Sequence, residues 1–401
     1  MRRFLPGNAI DLLRSGREYF PALLDAIAQA RHEVWIETYI FADDAAGNGI
    51  ADALVAAARR GVAVRVLVDG WGARHFLTPR LQQHLRDGGV HLLKYRPEVA
   101  PWQFRSHRMR RLHRKLAQVD GKVAFVGGIN IIDDMNTPGH TPPRVDFAVR
   151  VRGPLLGLIV PTMHRLWEIV QLFEFEGDRT DRAEENDEEL SLHVANAGET
   201  TAKFVVRDNL GHRRDIERAY LAAIRTAHSE IIIASAYFFP GIRFRRELIA
   251  AAGRGVQVTL LLQARVEYLL LHFASRALYG QMIDAGIAIQ EYSRSFLHAK
   301  VAVVDNGWAT VGSSNIDPYS LLMAREANVV VRDPQFADRL RTELVSMIDG
   351  GAERVAPQRW AQRPMLTKAM CWIAYGFVRV AMGFLGYGGH EWWKGTNPAP
   401  D

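Results

Sequence analysis

The chain has 401 residues, enough for two ordinary domains or one large one, with a globular composition of 48% hydrophobic and 23% charged residues. Its net charge of +6 and pI near 9.5 favour an anionic partner, whether a bilayer, a nucleic acid or a phosphorylated small molecule. The one cysteine, Cys371, excludes an internal disulfide framework and a cysteine-rich zinc site.

The amino terminus, MRRFLPGNAIDLLRSG, lacks the apolar run and cleavage site of a signal peptide, so cytoplasmic residence is expected. Residues 19–41, YFPALLDAIAQARHEVWIETYIF, read as an amphipathic helix followed by an apolar strand. LVAAARRGVAVRVLVDG, 54–70, reads as a helix stopping at a glycine, then another strand. LHRKLAQVDGKVAFVGGIN, 112–130, reads as strand, turn and strand. The acidic stretch EFEGDRTDRAEENDEELS, 174–191, is expected to be a solvated linker.

After it the order repeats, with YLAAIRTAHSEIIIASAYFF at 220–239, LIAAAGRGVQVTLLLQA at 248–264 and LHAKVAVVDNGWATVGSSN at 297–315. The copies are offset by 194 residues at Arg60/Arg254 and by 185 at His113/His298. Order is kept while loop lengths drift, which indicates a duplicated domain rather than a solenoid. Helix–strand alternation in each copy predicts an α/β fold with a mixed or largely parallel sheet. The expected divisions are a first domain over 1–175, a linker over 176–200, a second domain over 201–355 and a tail over 356–401. Within the tail, MLTKAMCWIAYGFVRVAMGFLGYGG, 365–389, is apolar and aromatic, and His390, Trp392 and Trp393 come after it. Its uninterrupted part, Ala369 to Val378, is about half the roughly 20 residues a spanning helix needs. It is read as an interfacial, membrane-associating segment, the alternative being a helix packed on the protein's own core.

Period-two alternation puts His298 and Lys300 on one face of a strand, and His113 and Lys115 on one face of its counterpart. Burying an ammonium beside an imidazole is costly unless an anion neutralises the pair. The match extends further, since His113, Lys115, Asp120, Gly127 and Asn130 recur in the same spacing as His298, Lys300, Asp305, Gly312 and Asn315.

This pattern resembles the HxKxxxxDxxxxxxGSxN signature of the phospholipase D superfamily. The second copy ends in GSSN and the first in GGIN, so Gly128 removes one possible hydroxyl donor. The resemblance implies two tandem pseudo-symmetric α/β/α sandwich domains, each with a mixed sheet, and an active site at their interface. Its catalytic set maps to His113, Lys115 and Asp120 with His298, Lys300 and Asp305. The two aspartates fall on the opposite strand face from His and Lys, and are therefore read as structural. Lys115, Lys300, Asn130 and Asn315 are the expected phosphate donors. One imidazole would attack phosphorus while the other protonates the departing alkoxide, with no metal or other cofactor. The attacking ring needs an acceptor on its other nitrogen to fix the tautomer. The resemblance points to a carboxylate after each motif: Glu326 for the second copy and Asp146 for the first.

The segments GNAIDLLRSGREYFPALLDAIAQA, WIETYIF, RDNLGHRRDIERAYL, AYFFPG and VGSSNIDPYSLLMAREANVVV look like those of bacterial cardiolipin synthases of the B type. That likeness implies phosphatidyl transfer between two phosphatidylglycerols, releasing glycerol, by a peripheral enzyme on the cytoplasmic side of the inner membrane. A phosphatidylethanolamine-using synthase, a phospholipase D and a nuclease are the alternatives. The expected partners are an anionic phospholipid membrane and the lipid substrate, with no nucleic acid and no obligate protein partner. The basic run RSHRMRRLHRK, 105–115, is read as facing an anionic surface, or else as a solvated loop. AYFFPG, 236–241, is read as a buried strand end or as aromatic contacts at the site mouth.

Overall fold

A computed structural model describes residues 3–97, 111–176, 194–208, 211–265, 269–317, 324–362 and 364–382. The acidic stretch beyond Glu176, the basic run before Arg111 and the aromatic tail end with His390 and the Trp pair lie outside the described residues.

The first half runs β1 (Leu5–Arg14), α1 (Ser15–Ala28), β2 (Glu33–Thr38), α2 (Ala45–Arg59), β3 (Ala63–Asp69), α3 (Pro79–Asp87) and β4 (His91–Tyr95). It continues through β5 (Arg111–Leu112), β6 (Lys115–Val119), β7 (Val123–Gly127), β8 (Arg144–Val145), β9 (Phe147–Arg152) and α4 (Leu156–Glu176). The second half repeats the plan with β10 (Thr200–Arg207), α5 (Asp215–Arg225), β11 (Glu230–Ser235), α6 (Ile242–Gly253), β12 (Gln257–Gln263), α7 (Leu269–Arg276) and α8 (Tyr279–Asp284). Then come β13 (Ala288–Tyr292), β14 (Phe296–Leu297), β15 (Lys300–Val304), β16 (Trp308–Gly312), β17 (Ala324–Arg332) and α9 (Pro334–Gly351). The chain closes with β18 (Ala352–Arg354), α10 (Pro357–Ala361) and α11 (Met365–Met382).

Each half builds a mixed sheet. β2, β3 and β4 are parallel, as are β11, β12 and β13, while β6 and β15 join them antiparallel. The two sheets do not stay separate. β1 pairs antiparallel with β10, so the strand order runs unbroken from β18 to β4 through that seam. One face of this continuous sheet packs against α4 and α9 in a single core shared by both halves, including Phe147, Met163, Phe204 and Leu340. The opposite face carries two separate cores, one under α1–α3 and one under α5, α6 and α8. Apolar burial of about 25 cal/mol per Å² thus ties the halves together on one side only.

The duplicated residues have local structural work. Arg60 Nη2 donates to the carbonyls of Ile27 and Ala28 at 3.0 and 3.2 Å, satisfying the end of α1. Arg254 does the same for α5, through the Ile224 carbonyl at 2.9 Å. Asp120 and Asp305 sit at positive φ, +52° and +51°, in the turns after β6 and β15. The Asp120 carboxylate accepts the backbone N–H groups of Arg31, His32 and Glu33. Asp305 accepts those of His228, Ser229 and Glu230. Each aspartate ties its turn to the start of the neighbouring strand.

Helix α11, the longest described element of the tail, packs one face on the protein. Cys371 and Ala374 are buried, and Tyr375 packs on Phe239 with ring centroids 5.5 Å apart. Its other face is exposed and apolar, with Ile373 at 72% and Phe377 at 62%. Among the described residues no helix is long and apolar enough to cross a membrane.

Removing the Asp120 carboxylate strands three backbone donors. Asp120→Ala is expected to lower unfolding free energy by about 1–2 kcal/mol, read as a lower urea midpoint at unchanged slope.

Candidate active site

Four short segments meet where the halves face each other. β5 leaves its own half and pairs in parallel with β17, setting Leu112 against Arg325. β14 does the reverse, pairing with β8 and setting Leu297 against Val145. His113 N–H then donates to the Arg325 carbonyl at 3.0 Å, and His298 N–H to the Val145 carbonyl at 2.8 Å. Each histidine is therefore held on a strand of the other copy, one residue before that copy's carboxylate.

The carboxylates obey that crossing. His113 Nδ1 lies 2.9 Å from Glu326 Oε1, and His298 Nδ1 lies 2.6 Å from Asp146 Oδ2. The expectation that each carboxylate serves the histidine of its own copy is corrected here. In each sheet β7, or β16, intervenes between the lysine strand and the carboxylate strand, while the exchanged two-residue strands bring the opposite pair together.

Both carboxylates are buried, Glu326 at 0% and Asp146 at 2% exposure. Burial opposes their ionisation, but Lys300 and His298 outweigh it at Asp146, and His113 and Lys115 outweigh it at Glu326, holding both below the usual carboxylate range. An ionised carboxylate can only accept, so Nδ1 of each ring carries the proton and Nε2 keeps its lone pair. Burial and the Lys300 ammonium push His298 down to about 3. Burial also lowers His113, against the pull of Glu326.

Lys115 and Lys300 are both buried. Lys115 Nζ donates to its own His113 carbonyl at 2.6 Å, and Lys300 Nζ bonds the His298 carbonyl in the same way. Lys300 Nζ also lies 3.4 Å from Asp146 Oδ2. Burial and the neighbouring Lys300 bring Lys115 down to about 7. Lys300 acts across the gap on both His113 and Lys115, so the two walls form one electrostatic unit. The arrangement can hold an anion between two ammoniums and present two neutral imidazoles to it. A metal cation would meet those same ammoniums.

Asn130 and Asn315 are buried beyond the ends of β7 and β16. Ile131 bridges to Phe41 and Ile316 to Phe238, and Asn130 Oδ1 accepts the Ile40 N–H at 3.2 Å. Asp120 and Asp305 lie at the opposite ends of β6 and β15, where backbone N–H groups occupy their carboxylates. Arg111, Arg114 and Lys115 are buried, and Arg114 is paired with Glu37. That part of the basic run faces neither solvent nor a lipid surface, because the exchanged strand β5 draws it inside. In AYFFPG, Phe238 and Phe239 are core residues at 4% and 2% exposure, while Tyr237 lines a cleft.

The GGIN departure has a steric reason. A Cβ on Gly128 would stand 2.3 Å from Asp146 Oδ1. The second copy uses the longer Glu326, and there Ser313 Oγ bonds its carboxylate. The residue pairs Gly128–Asp146 and Ser313–Glu326 are alternative ways to set one carboxylate. Sequence reasoning missed Tyr39, whose ring stands edge-on to His113 with centroids 5.0 Å apart. Its signal was the alignment of TYIF with AYFF.

Two halves of one design, each lending a His-x-Lys pair and a carboxylate to one shared cluster, define a two-copy phospholipase D-like protein. The fold agrees with phosphatidylserine synthase from Haemophilus influenzae, at TM-score 0.71 and 14% identity over 95% of this chain and 96% of that one. The family model described as "Cardiolipin synthase, PLD-like domain" matches residues 23–137 and 220–348. Cardiolipin synthase B of Escherichia coli K12 is 36% identical over 394 residues, 95% of this chain and 90% of that protein. The probable cardiolipin synthase YwiE of Bacillus subtilis is 30% identical over 338 residues, 83% and 64% of the two chains. The chain belongs to the phospholipase D-like cardiolipin synthase family.

The crossed pairing is testable without turnover. Glu326→Gln is expected to shift the imidazole nitrogen resonances of His113 and leave those of His298 in place, and Asp146→Asn the converse; a same-copy response would refute the exchange. Anion binding should also take up protons near pH 7.5, because an anion raises the pKa of Lys115 from about 7. Calorimetry with orthovanadate in buffers of different ionisation heat reads this directly. In the anion-free protein Lys115 binds fewer protons folded than unfolded between about 7 and its unfolded value of about 10.4, so its contribution to stability rises with pH across that window.

Proposed function

We propose that this chain is a cardiolipin synthase acting by two-step phosphatidyl transfer. Nε2 of one neutral histidine attacks the phosphorus of phosphatidylglycerol, and the bond from phosphorus to the glycerol oxygen breaks. The other histidine, protonated once the phosphate has entered between the lysines, gives its proton to that oxygen, and glycerol leaves. The terminal hydroxyl of a second phosphatidylglycerol then attacks the phosphohistidine. The same second histidine takes the hydroxyl proton as the P–N bond breaks, yielding cardiolipin and the starting enzyme. Lys115, Lys300, Asn130 and Asn315 are assigned to the charge that builds on the phosphoryl oxygens, and Glu326 and Asp146 to the tautomers of His113 and His298. No cofactor enters this scheme.

The observation that carries the reading is the reciprocal pairing of the two imidazoles, through Nδ1, with buried carboxylates of the opposite copy, beside two buried lysines. Relatives named cardiolipin synthase, matched over nearly the whole chain, select the lipid reaction among those such a site can perform. Both proposed substrates reside in a bilayer, and the apolar outer face of α11 supports peripheral attachment there; the cytoplasmic side of the inner membrane is the location this reading assigns.

Purified enzyme with labelled phosphatidylglycerol, with and without phosphatidylethanolamine, should yield cardiolipin and free glycerol in equal amounts. Phosphatidic acid alone would make it a phospholipase, and ethanolamine release would change the donor. His113→Ala and His298→Ala are each expected to lower turnover by at least about 10³-fold, and full activity in either would sink the mechanism. EDTA should leave turnover unchanged.

A further inference from the structure

The two halves match in strands, motifs and crossed carboxylates, but they differ in the segment after the third strand of each. After β3, residues 70–78 form turns, and the one large exposed apolar side chain there is Trp71. After β12 the chain forms helix α7, with Leu269 at 66% and Leu270 at 45% exposure. The buried side of α7 packs with α11 through a small cluster of Phe239, Ala274 and Ala374.

On α11 the exposed apolar residues are not scattered. Leu366, Met370, Ile373, Phe377 and Val380 keep the 3.6-residue period and form one stripe, with the exposed Met365 and Trp372 beside it. The stripe points away from the protein, since Cys371 and Ala374 occupy the packed face. Contiguous apolar surface of this kind marks an interaction site rather than ordinary surface. Its chemistry is one-sided as well: from Val355 to His390 the chain has no Asp or Glu, while Lys368 and Arg379 lie within α11.

Beneath α7 lies a small cleft of about 40 Å³, lined by Tyr237, Gln263, Arg265, Leu271, His272 and Ser275 among others. It adjoins the reaction centre, because Gln263 Oε1 accepts the N–H of Leu297, the residue before His298. Among the described residues the buried Nε2 of the same amide has no partner.

We propose that α7 and α11 together are the surface that seats on an anionic phospholipid bilayer, placing the His298 side of the site, which adjoins the small cleft under α7, nearest the lipid headgroups. This deepens the proposed function and rests on it for the identity of the lipid. The near-twofold site is thereby approached from one side only. Tail attachment by α11 alone would leave Leu269 and Leu270 without a role.

The test uses the full chain and sedimentation with vesicles of phosphatidylglycerol and phosphatidylcholine, or of phosphatidylcholine alone. Leu269→Ser with Leu270→Ser is expected to weaken binding to the anionic vesicles at least fivefold, and Ile373→Ser with Phe377→Ser to do the same. Both double variants should retain wild-type hydrolysis of a soluble phosphodiester, which reports that fold and site are intact. Trp372, 58% exposed, should shift its emission to the blue on anionic vesicles and be quenched by brominated lipid. Unchanged vesicle binding by the α7 variant overturns the proposal. So does loss of a dimer in sedimentation velocity with vesicle binding intact, which would assign the stripe to a second copy. Vesicle binding lost in the variants of an enzyme that makes no cardiolipin would leave this surface standing and remove the synthase reading instead.

Discussion

Everything at the reaction centre depends on two backbone exchanges of two residues each. β5 crosses to β17 and β14 crosses to β8, and each crossing ends beside a buried carboxylate. A buried Asp, Glu or Lys without a partner is costly. Here the exchange places two carboxylates, two ammoniums and two imidazoles within one electrostatic neighbourhood. Each charge is tolerated because the opposing wall supplies its counterpart. The shared core under α4 and α9, and the β1–β10 seam, keep the walls at that separation.

Without an anion this balance keeps both histidines neutral and pulls Lys115 toward neutrality. Such a site is poised rather than saturated. In the proposed reaction a phosphodiester would supply the negative charge that burial has made scarce, so that the substrate itself would set the protonation the chemistry needs. Charge stabilisation that is already in place costs no reorganisation when the bond breaks.

Much of the frame was legible in the sequence because it is written twice. The matched pairs Arg60/Arg254 and Asp120/Asp305 marked helix ends and turns, and period-two patterning separated His and Lys from the aspartates. The crossing of the carboxylates was not legible. Each copy contains a carboxylate at a plausible distance along the chain, and nothing local says which histidine it reaches; only the packing of the two halves decides. The described end of the basic run was misleading for a related reason, since a strand of two residues has no periodicity to announce that Arg111 and Arg114 turn inward. The aromatic run AYFF held both its meanings, with Phe238 and Phe239 in the core and Tyr237 at the cleft.

The crossed carboxylates also speak to ancestry. A single unit of this kind would have owned a histidine, a lysine and a carboxylate, yet could not have brought its own carboxylate to its own imidazole. By this geometry its carboxylate–histidine pairs would be complete only in a symmetric pair of units. Fusion into one chain removed the need for two subunits to find each other and released the copies from identity. The short acid with its glycine on one side, and the longer acid with its serine on the other, are the record of that freedom.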